Sequence, residues 1–367
     1  MPPLPPPLTK IPPEIVAVAD YEPLARARVE ASAWAYLTSG GADEVTLRDN
    51  RAAYDRLRLN PRVLTDFSRG GSTAVTLFGT TFDYPILLAP VAYQRLAHPD
   101  GERATVQGAA AAKTGMIVST HASVLLEDIA KAAPAPLWFQ LYIKPDRGMT
   151  RELVQRAEAA GYRAIVLTVD APVGGVRNGQ QRAQFDLPVG VDAVNLRGKS
   201  PMGGRGVEPG SLAAGLLATA PTWKDVGWLQ SLTKMPVLVK GILSAEDGER
   251  AVKEGVAGIV VSNHGGRTLD TLPATIDALP RIADRVAGRV PLLVDGGIRR
   301  GTDVLKALAL GASAVLVGRP LLYGLAVAGP IGVTHILNIL RSELEVAMAL
   351  TGRATLAEID RTVLWKD

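Results

Sequence analysis

Two short stretches of this chain gather side chains that could move protons and hold anions. Ser262-Asn263-His264-Gly265-Gly266-Arg267 brings an imidazole and a guanidinium into one glycine-rich loop. A lone histidine is more often structural than chemical, but His264 lies in the loop after an apolar run, between a glycine turn and Arg267. Asp170 ends another apolar run and could orient that imidazole and favour its protonated form. Of the 4 histidines only His121 falls near the same end of the molecule, so no histidine-based metal site is expected. Lys240 closes the run Pro236-Val237-Leu238-Val239-Lys240-Gly241, and a lysine there needs an anionic or polar partner because burying it alone is expensive. Two chemistries suit it: a Schiff-base nucleophile, or a donor to a ring that gains negative charge on reduction. Asp295-Gly296-Gly297-Ile298-Arg299 and Gly318-Arg319 combine glycine-exposed N–H groups with guanidinium charge, which points to a phosphate-bearing ligand.

These residues share a place in a repeating pattern. Eight apolar runs (Ile86–Ala89, Met116–Ser119, Leu137–Leu141, Ala164–Val169, Val237–Lys240, Gly258–Ser262, Leu292–Asp295 and Ala314–Gly318) recur mostly at the length of one β/α unit. Near-continuous apolar strands mean a parallel sheet covered on both faces. Gly161, Gly255 and Gly311 each stand between an amphipathic stretch and a run, as the left-handed turn closing a helix requires. Thr150, Ser244 and Thr302 read as the helix N-caps. The expected fold is α/β, a (β/α)8 TIM barrel whose strand ends carry the chemistry. Before it lies a helical extension with a hairpin, Thr73–Leu77 and Thr81–Asp83 turning at Phe78-Gly79-Thr80. The long loop after the fourth strand, Asp186–Pro221, is rich in Gly, Pro, Ser and Ala and reads as a mobile segment.

Composition closes off other classes. Over 367 residues the hydrophobic share is 47%, the charged share 21% and the net charge +4, with no concentrated basic patch, so no nucleic-acid partner is expected. Cysteine is absent, which removes disulfides, thiolate metal sites and cysteine nucleophiles. The start Met1-Pro2-Pro3-Leu4-Pro5-Pro6-Pro7 lacks the basic and apolar blocks of a signal peptide, and cytoplasmic location is the default expectation. The apolar stretch Ala314–Val333 is interrupted by Arg319, Pro320 and Pro330 and reads as a strand plus a buried helix, with no membrane span. Gly198-Lys199-Ser200 has Ala193 where a phosphate-binding P-loop needs glycine, and no GxGxxG run exists, which disfavours Rossmann-type NAD or FAD binding.

The run Val261-Ser262-Asn263-His264-Gly265-Gly266-Arg267-Thr268-Leu269-Asp270 resembles the signature of the FMN-dependent 2-hydroxy acid oxidases and dehydrogenases, the glycolate oxidase, lactate oxidase and mandelate dehydrogenase type. Phe139-Gln140-Leu141-Tyr142, Leu167-Thr168-Val169-Asp170, Val239-Lys240-Gly241 and Asp295 to Asp303 are similar in the same order. Residues 1–20 read as a proline-rich tail, and the resemblance implies one flavin domain over 21–367, with the barrel at about 86–345. It implies noncovalent FMN, a small L-2-hydroxy acid oxidised to the 2-keto acid, and His264 as base with Asp170 as its carboxylate partner. Arg177 and Arg267 match the arginines that hold the substrate carboxylate, a role suited to a planar fork. Tyr36 and Tyr142 match tyrosines that bond the substrate, and Lys240 matches the lysine beside the flavin, which decides against an aldolase. Pro90, Val91, Ala92, Ser119, Gln140, Thr168 and Ser262 match contacts to the flavin ring and ribityl chain. Asp295, Gly297, Arg299, Gly318 and Arg319 match the ribityl and phosphate site. Ala92 stands where oxidases of the family tend to have alanine, which favours O2 as acceptor over a quinone or redox protein. His121 replaces an aromatic residue often found in the substrate pocket, so aryl or polar-substituted acids are expected to outperform glycolate. A homotetramer is expected from the resemblance and from the apolar C-terminal helix around Val346–Leu350.

Overall fold

The structure is a computed structural model and describes residues 4–196 and 217–365. A hairpin, β1 (Val75–Leu77) and β2 (Thr80–Phe82), precedes eight parallel strands. These are β3 (Ile86–Leu88), β4 (Met116–Val118), β5 (Leu137–Leu141), β6 (Ile165–Thr168), β7 (Val237–Ile242), β8 (Gly258–Val261), β9 (Leu292–Asp295) and β10 (Ala314–Val317). Each pairs with the next along the chain, and β10 returns to β3 to close the barrel. All eight apolar runs are therefore strands.

Closure follows from alternation within those runs. Leu87, Ile117, Trp138, Val166, Leu238, Val260, Leu293 and Leu316 fill the barrel interior, while neighbours such as Ile86, Val118, Phe139 and Val239 face the helices. The hairpin plugs one end: the rings of Phe78 and Phe82 meet Trp138 at centroid separations of 5.2 and 6.2 Å. Phe78 (φ 50) and Gly79 (φ 76) form its two-residue left-handed turn, so Thr80 belongs to β2 and not to the turn expected for it. With that end closed, a cleft opens at the C-terminal strand ends.

The strand ends differ from expectation in informative ways. Ala89, Ser119, Ser262 and Gly318 fall just outside the ladder, and all but Ser262 line the cleft. β7 runs two residues further than expected, through a register shift between Lys240 and Ile242 at Gly241 (φ 113). A Cβ on Gly241 would lie 2.5 Å from the Asp170 Cβ, so this irregularity makes room for that carboxylate.

Ser244 caps its helix by accepting from the Asp247 N–H at 3.0 Å, and Gly161, Gly255 and Gly311 all take positive φ. Thr150 and Thr302 are not N-caps. Asp146 caps Arg147–Ala159, accepting from Gly148 N–H at 2.8 Å, and Thr150 is buried in the first turn. The helix Gly301–Ala309 starts before Thr302, and Asp303 Oδ2 accepts the N–H groups of Arg299 and Arg300 at 2.9 Å each. In both cases a nearby carboxylate satisfies the positive helix end better than a hydroxyl.

Helices Val18–Arg26, Ala31–Thr38 and Val45–Arg56 form the extension, the first with its opening three residues inside the expected tail. The backbone of the tail is tied down as well, with Leu8 N–H donating to Val327 O at 2.7 Å. The final helical stretch, Arg319–Leu350, is broken at Ala328-Gly329. It is long and apolar enough to cross a membrane by composition, but 78% of its most apolar window is buried in the protein. That matches a strand followed by a buried helix. Residues 197–216 of the expected mobile segment lie outside the described residues. Just before them, Asn195 is buried and bonds Leu126 N–H and Val124 O at 3.0 and 3.1 Å, which anchors the start of the loop.

Candidate active site

The C-terminal strand ends surround a cleft of about 940 Å³, which brings together most of the residues singled out from the sequence. Tyr36, Pro90, Val91, Ala92, Ser119, His121, Gln140, Tyr142, Thr168, Arg177, Lys240, His264, Arg267, Asp295, Gly297, Arg299, Gly318 and Arg319 all line it. Asp170 and Ser262 do not reach the wall. They stand one layer behind it and hold residues that do.

His264 sits in the left-handed region (φ 58), followed by Gly265 and Gly266 with φ of 64 and 73. Three positive-φ residues in a row turn the chain sharply after β8, and the Ser262 hydroxyl accepts the His264 N–H at 3.1 Å. The ring is fixed at its other end: Nδ1 lies 2.9 Å from Asp170 Oδ1. That leaves Nε2 free to face the cleft, 3.5 Å from the Tyr142 hydroxyl. Burial alone would raise the Asp170 carboxyl, but the His264 ring and Lys240 outweigh it and hold its pKa below the usual range. The arrangement is an oriented base with a permanent anion behind it.

Lys240 is 4% exposed and meets the Ser262 hydroxyl at 2.8 Å and Asp295 Oδ2 at 3.1 Å. Burial opposes its charge, yet Asp295 and Asp170 raise its pKa. An imine-forming lysine needs the opposite shift, so the ammonium here is a fixed charge and not a nucleophile.

Around the tyrosines the cleft is strongly cationic. Arg267 donates to the carbonyls of Tyr36 (2.8 Å) and Ser39 (2.7 Å), and its guanidinium lies 5.4 Å from the Tyr36 ring centre. Arg177 approaches the same ring at 6.0 Å, and its buried Nε has no partner. Burial, then Arg177 and Arg319, push the Arg267 pKa down to about 9. A guanidinium does not shed its proton under ordinary conditions, so this depression measures crowding of positive charge that a bound anion would relieve. Arg319 donates to the carbonyls of Thr38, Gly265 and Ser39, which ties the extension to the loop after β8.

The rest of the wall fits a flat ring with a polyol and a phosphate. Gln140 accepts from Ser119 Oγ (3.3 Å) and Thr120 N–H (3.1 Å) and donates to Thr168 Oγ1 (3.0 Å), so one amide aligns three strand ends. Asp295 Oδ1 is buried without a partner, the state of an acceptor awaiting a hydroxyl. Gly297 (φ 82) cannot be replaced, since a Cβ would fall 1.9 Å from Asn50 O. Gly318 opens the helix that begins at Arg319, where exposed N–H groups join Arg299 and Arg319 in a setting built for an anion. The residues present therefore fit FMN.

Several contributors were not singled out from the sequence. Asp270 accepts N–H groups of Asp43, Val45 and Thr46 at 3.0, 3.2 and 2.8 Å and so pins the helix Val45–Arg56 beside the cleft. Asn50 and Asn263 exchange side-chain amide bonds at 2.9 and 2.8 Å. Phe185 stacks on Tyr36 at 4.6 Å, and Lys144 stands beside His121. Asp270 and Asn263 lay in the recognised run. The partners of the others are set by tertiary approach, with no local signal. No cluster of metal-ligating side chains occurs among the described residues.

Residues 25–366 match the FMN-dependent dehydrogenase family. L-lactate oxidase from Nostoc sp. is 49% identical over 356 residues, spanning 94% of this chain and 96% of that one. Glycolate oxidase 1 from Zea mays is 46% identical over 352 residues, 95% of each chain. Among solved structures, mandelate oxidase with (S)-2-phenylpropionate superposes with a TM-score of 0.86 at 41% identity, covering 96% of this chain and 98% of that one. With the closed barrel and the His264–Asp170 pair in place, this chain belongs to the FMN-dependent dehydrogenase family.

Proposed function

We propose that the protein is an FMN-dependent oxidase of small L-2-hydroxy acids, yielding the 2-keto acid and passing electrons to O2 to give H2O2. The observation that carries this reading is the His264 ring: Nδ1 held by Asp170 at 2.9 Å, Nε2 facing a cleft with two arginines near Tyr36. FMN supplies the two-electron acceptor. Arg177 and Arg267 clamp the substrate carboxylate, and the Tyr36 and Tyr142 hydroxyls orient the carboxylate and the 2-hydroxyl. His264 Nε2 takes a proton, and Asp170 stabilises the imidazolium that results. Lys240 would hold a fixed positive charge beside the FMN ring, where it would favour taking up negative charge. Ser119, Gln140 and Thr168 would hold the ring and ribityl chain, Asp295 would accept from a ribityl hydroxyl, and Gly297, Arg299, Gly318 and Arg319 would hold the phosphate. Ser262 acts by fixing Lys240 and the His264 backbone.

Oxidase names among the relatives, together with Ala92 in the wall, support O2 as acceptor over a quinone or redox protein. An oxygen electrode with 2-hydroxy acids tests it: O2 uptake matched by equal 2-keto acid and peroxide is expected. Turnover that occurs only with an added redox dye would assign a dehydrogenase instead. We also propose a cytoplasmic homotetramer, whose interface includes the exposed Val346 and Leu350.

A further inference from the structure

The wall of the cleft beyond Tyr142 carries a cation that the reading above does not use. Lys144 Nζ lies 3.4 Å from His121 Nε2 and 5.6 Å from the centre of the Tyr142 ring, and no ion pair is formed to it among the described residues. His121 is clamped between Tyr93 (centroids 6.0 Å apart, planes 5° apart) and Tyr142 (5.3 Å, 30°). It does not cap the helix Leu126–Ala132, which has no side-chain cap. Burial first, then Lys144 and His264, push the His121 pKa down to about 3, so the imidazole is neutral and Nε2 can accept from the ammonium. Lys144 is half-buried, and burial lowers its pKa as well. An imidazole acceptor does not neutralise that charge, so the ammonium can still take an anionic partner.

The other cations of the cleft are accounted for. Lys240 is matched by Asp295, Arg299 and Arg319 stand at the phosphate end, and Arg177 and Arg267 flank Tyr36. With a phosphate and a substrate carboxylate bound at those places, Lys144 still has no anionic partner among the described residues. Its place is set by continuity: Tyr142 touches His264 through its hydroxyl and carries Lys144 over its ring face, so the ammonium lies along the wall from the reacting carbon.

We propose that Lys144, steadied by His121, forms a second anion subsite that selects 2-hydroxy acids bearing a further carboxylate at the end of a short chain. The inference rests on the 2-hydroxy acid reading of the same cleft. A dicarboxylate satisfies the ammonium, whereas an aryl group would cover it and leave it uncompensated.

The test compares 2-hydroxyglutarate with 2-hydroxypentanoate, which replaces the second carboxylate by a methyl group, in wild type, Lys144→Met and Lys144→Arg. Mandelate serves as the aryl control. Each pair is read as kcat/KM, and as the binding of 2-oxoglutarate against 2-oxopentanoate from the change in the flavin spectrum. A charge-assisted hydrogen bond predicts that wild type favours the dicarboxylate by about tenfold or more. Lys144→Met should lose that ratio in both readouts, and Lys144→Arg should retain most of it. If the monocarboxylates or mandelate reduce the flavin while the ratio is near one, or survives in Lys144→Met, the second subsite is overturned and the oxidase reading stands. If no 2-hydroxy acid reduces the flavin, both fall together.

Discussion

Replacing Asp170 by Asn removes a charge from behind His264 while leaving the shape of the site. The carboxylate and the imidazole meet at 2.9 Å, which puts their charge centres about 4 Å apart; at an effective dielectric near 20 such a pair interacts by about 4 kcal/mol. The amide still offers one oxygen to Nδ1–H, worth about 1 kcal/mol. The imidazolium formed when Nε2 takes a proton therefore loses about 3 kcal/mol, a slowing of roughly 100-fold or more. Anaerobic stopped-flow mixing with the best 2-hydroxy acid reads this as the rate of loss of flavin absorbance. Bound FMN should be unchanged, because Asp170 stands behind the wall and not on it. A rate within about threefold of wild type would refute the reasoning, since it would mean that the anion contributes nothing to the proton transfer. The pH dependence has a definite sign. The folded-state pKa of Asp170 is depressed, so its stabilisation is complete above the unfolded value of about 3.9 and is lost as pH falls through the folded value. The stability gap between wild type and Asp170→Asn, measured by urea melts, should be steady down to about pH 4 and close below it.

Gly297→Ala should lose FMN affinity and fold stability together, because its Cβ would fall 1.9 Å from Asn50 O, and dialysis against cofactor-free buffer should leave it largely colourless. Asp270→Ala strips an acceptor from three backbone N–H groups at the start of the helix Val45–Arg56; a loss of about 2 kcal/mol in chemical unfolding is expected, and less than 0.5 kcal/mol would mean the cap does not matter. Light scattering at micromolar concentration should give four times the chain mass, and Val346→Glu with Leu350→Glu should lower it.

The barrel was readable because a parallel strand covered on both faces needs an unbroken apolar run, and polar residues ended most of those runs where the cleft opens. His264, Arg267 and Lys240 were conspicuous for that reason: Lys240 ends such a run, and His264 and Arg267 share the glycine-rich loop after another. Features made by distant approach were not readable. Nothing near Asp270 says that it will meet N–H groups of Asp43 to Thr46, and nothing near Gly241 announces that Asp170 will press against it. The helix starts were misplaced where two caps competed within one turn, and Asp146 and Asp303 outbid Thr150 and Thr302. Ser262 lay in the right loop, but its hydroxyl is directed to Lys240 and the His264 N–H, a choice that one residue of strand register decides.

The central claim is that His264 Nε2 takes the proton during oxidation of a 2-hydroxy acid. Single-turnover mixing of FMN-loaded His264→Ala with substrate under argon tests it most directly, against wild type at the same concentration. Both proteins should be yellow, wild type should bleach, and the variant should bleach at least about 100-fold more slowly, the range expected for a lost general base. Bleaching within about tenfold of wild type would contradict it.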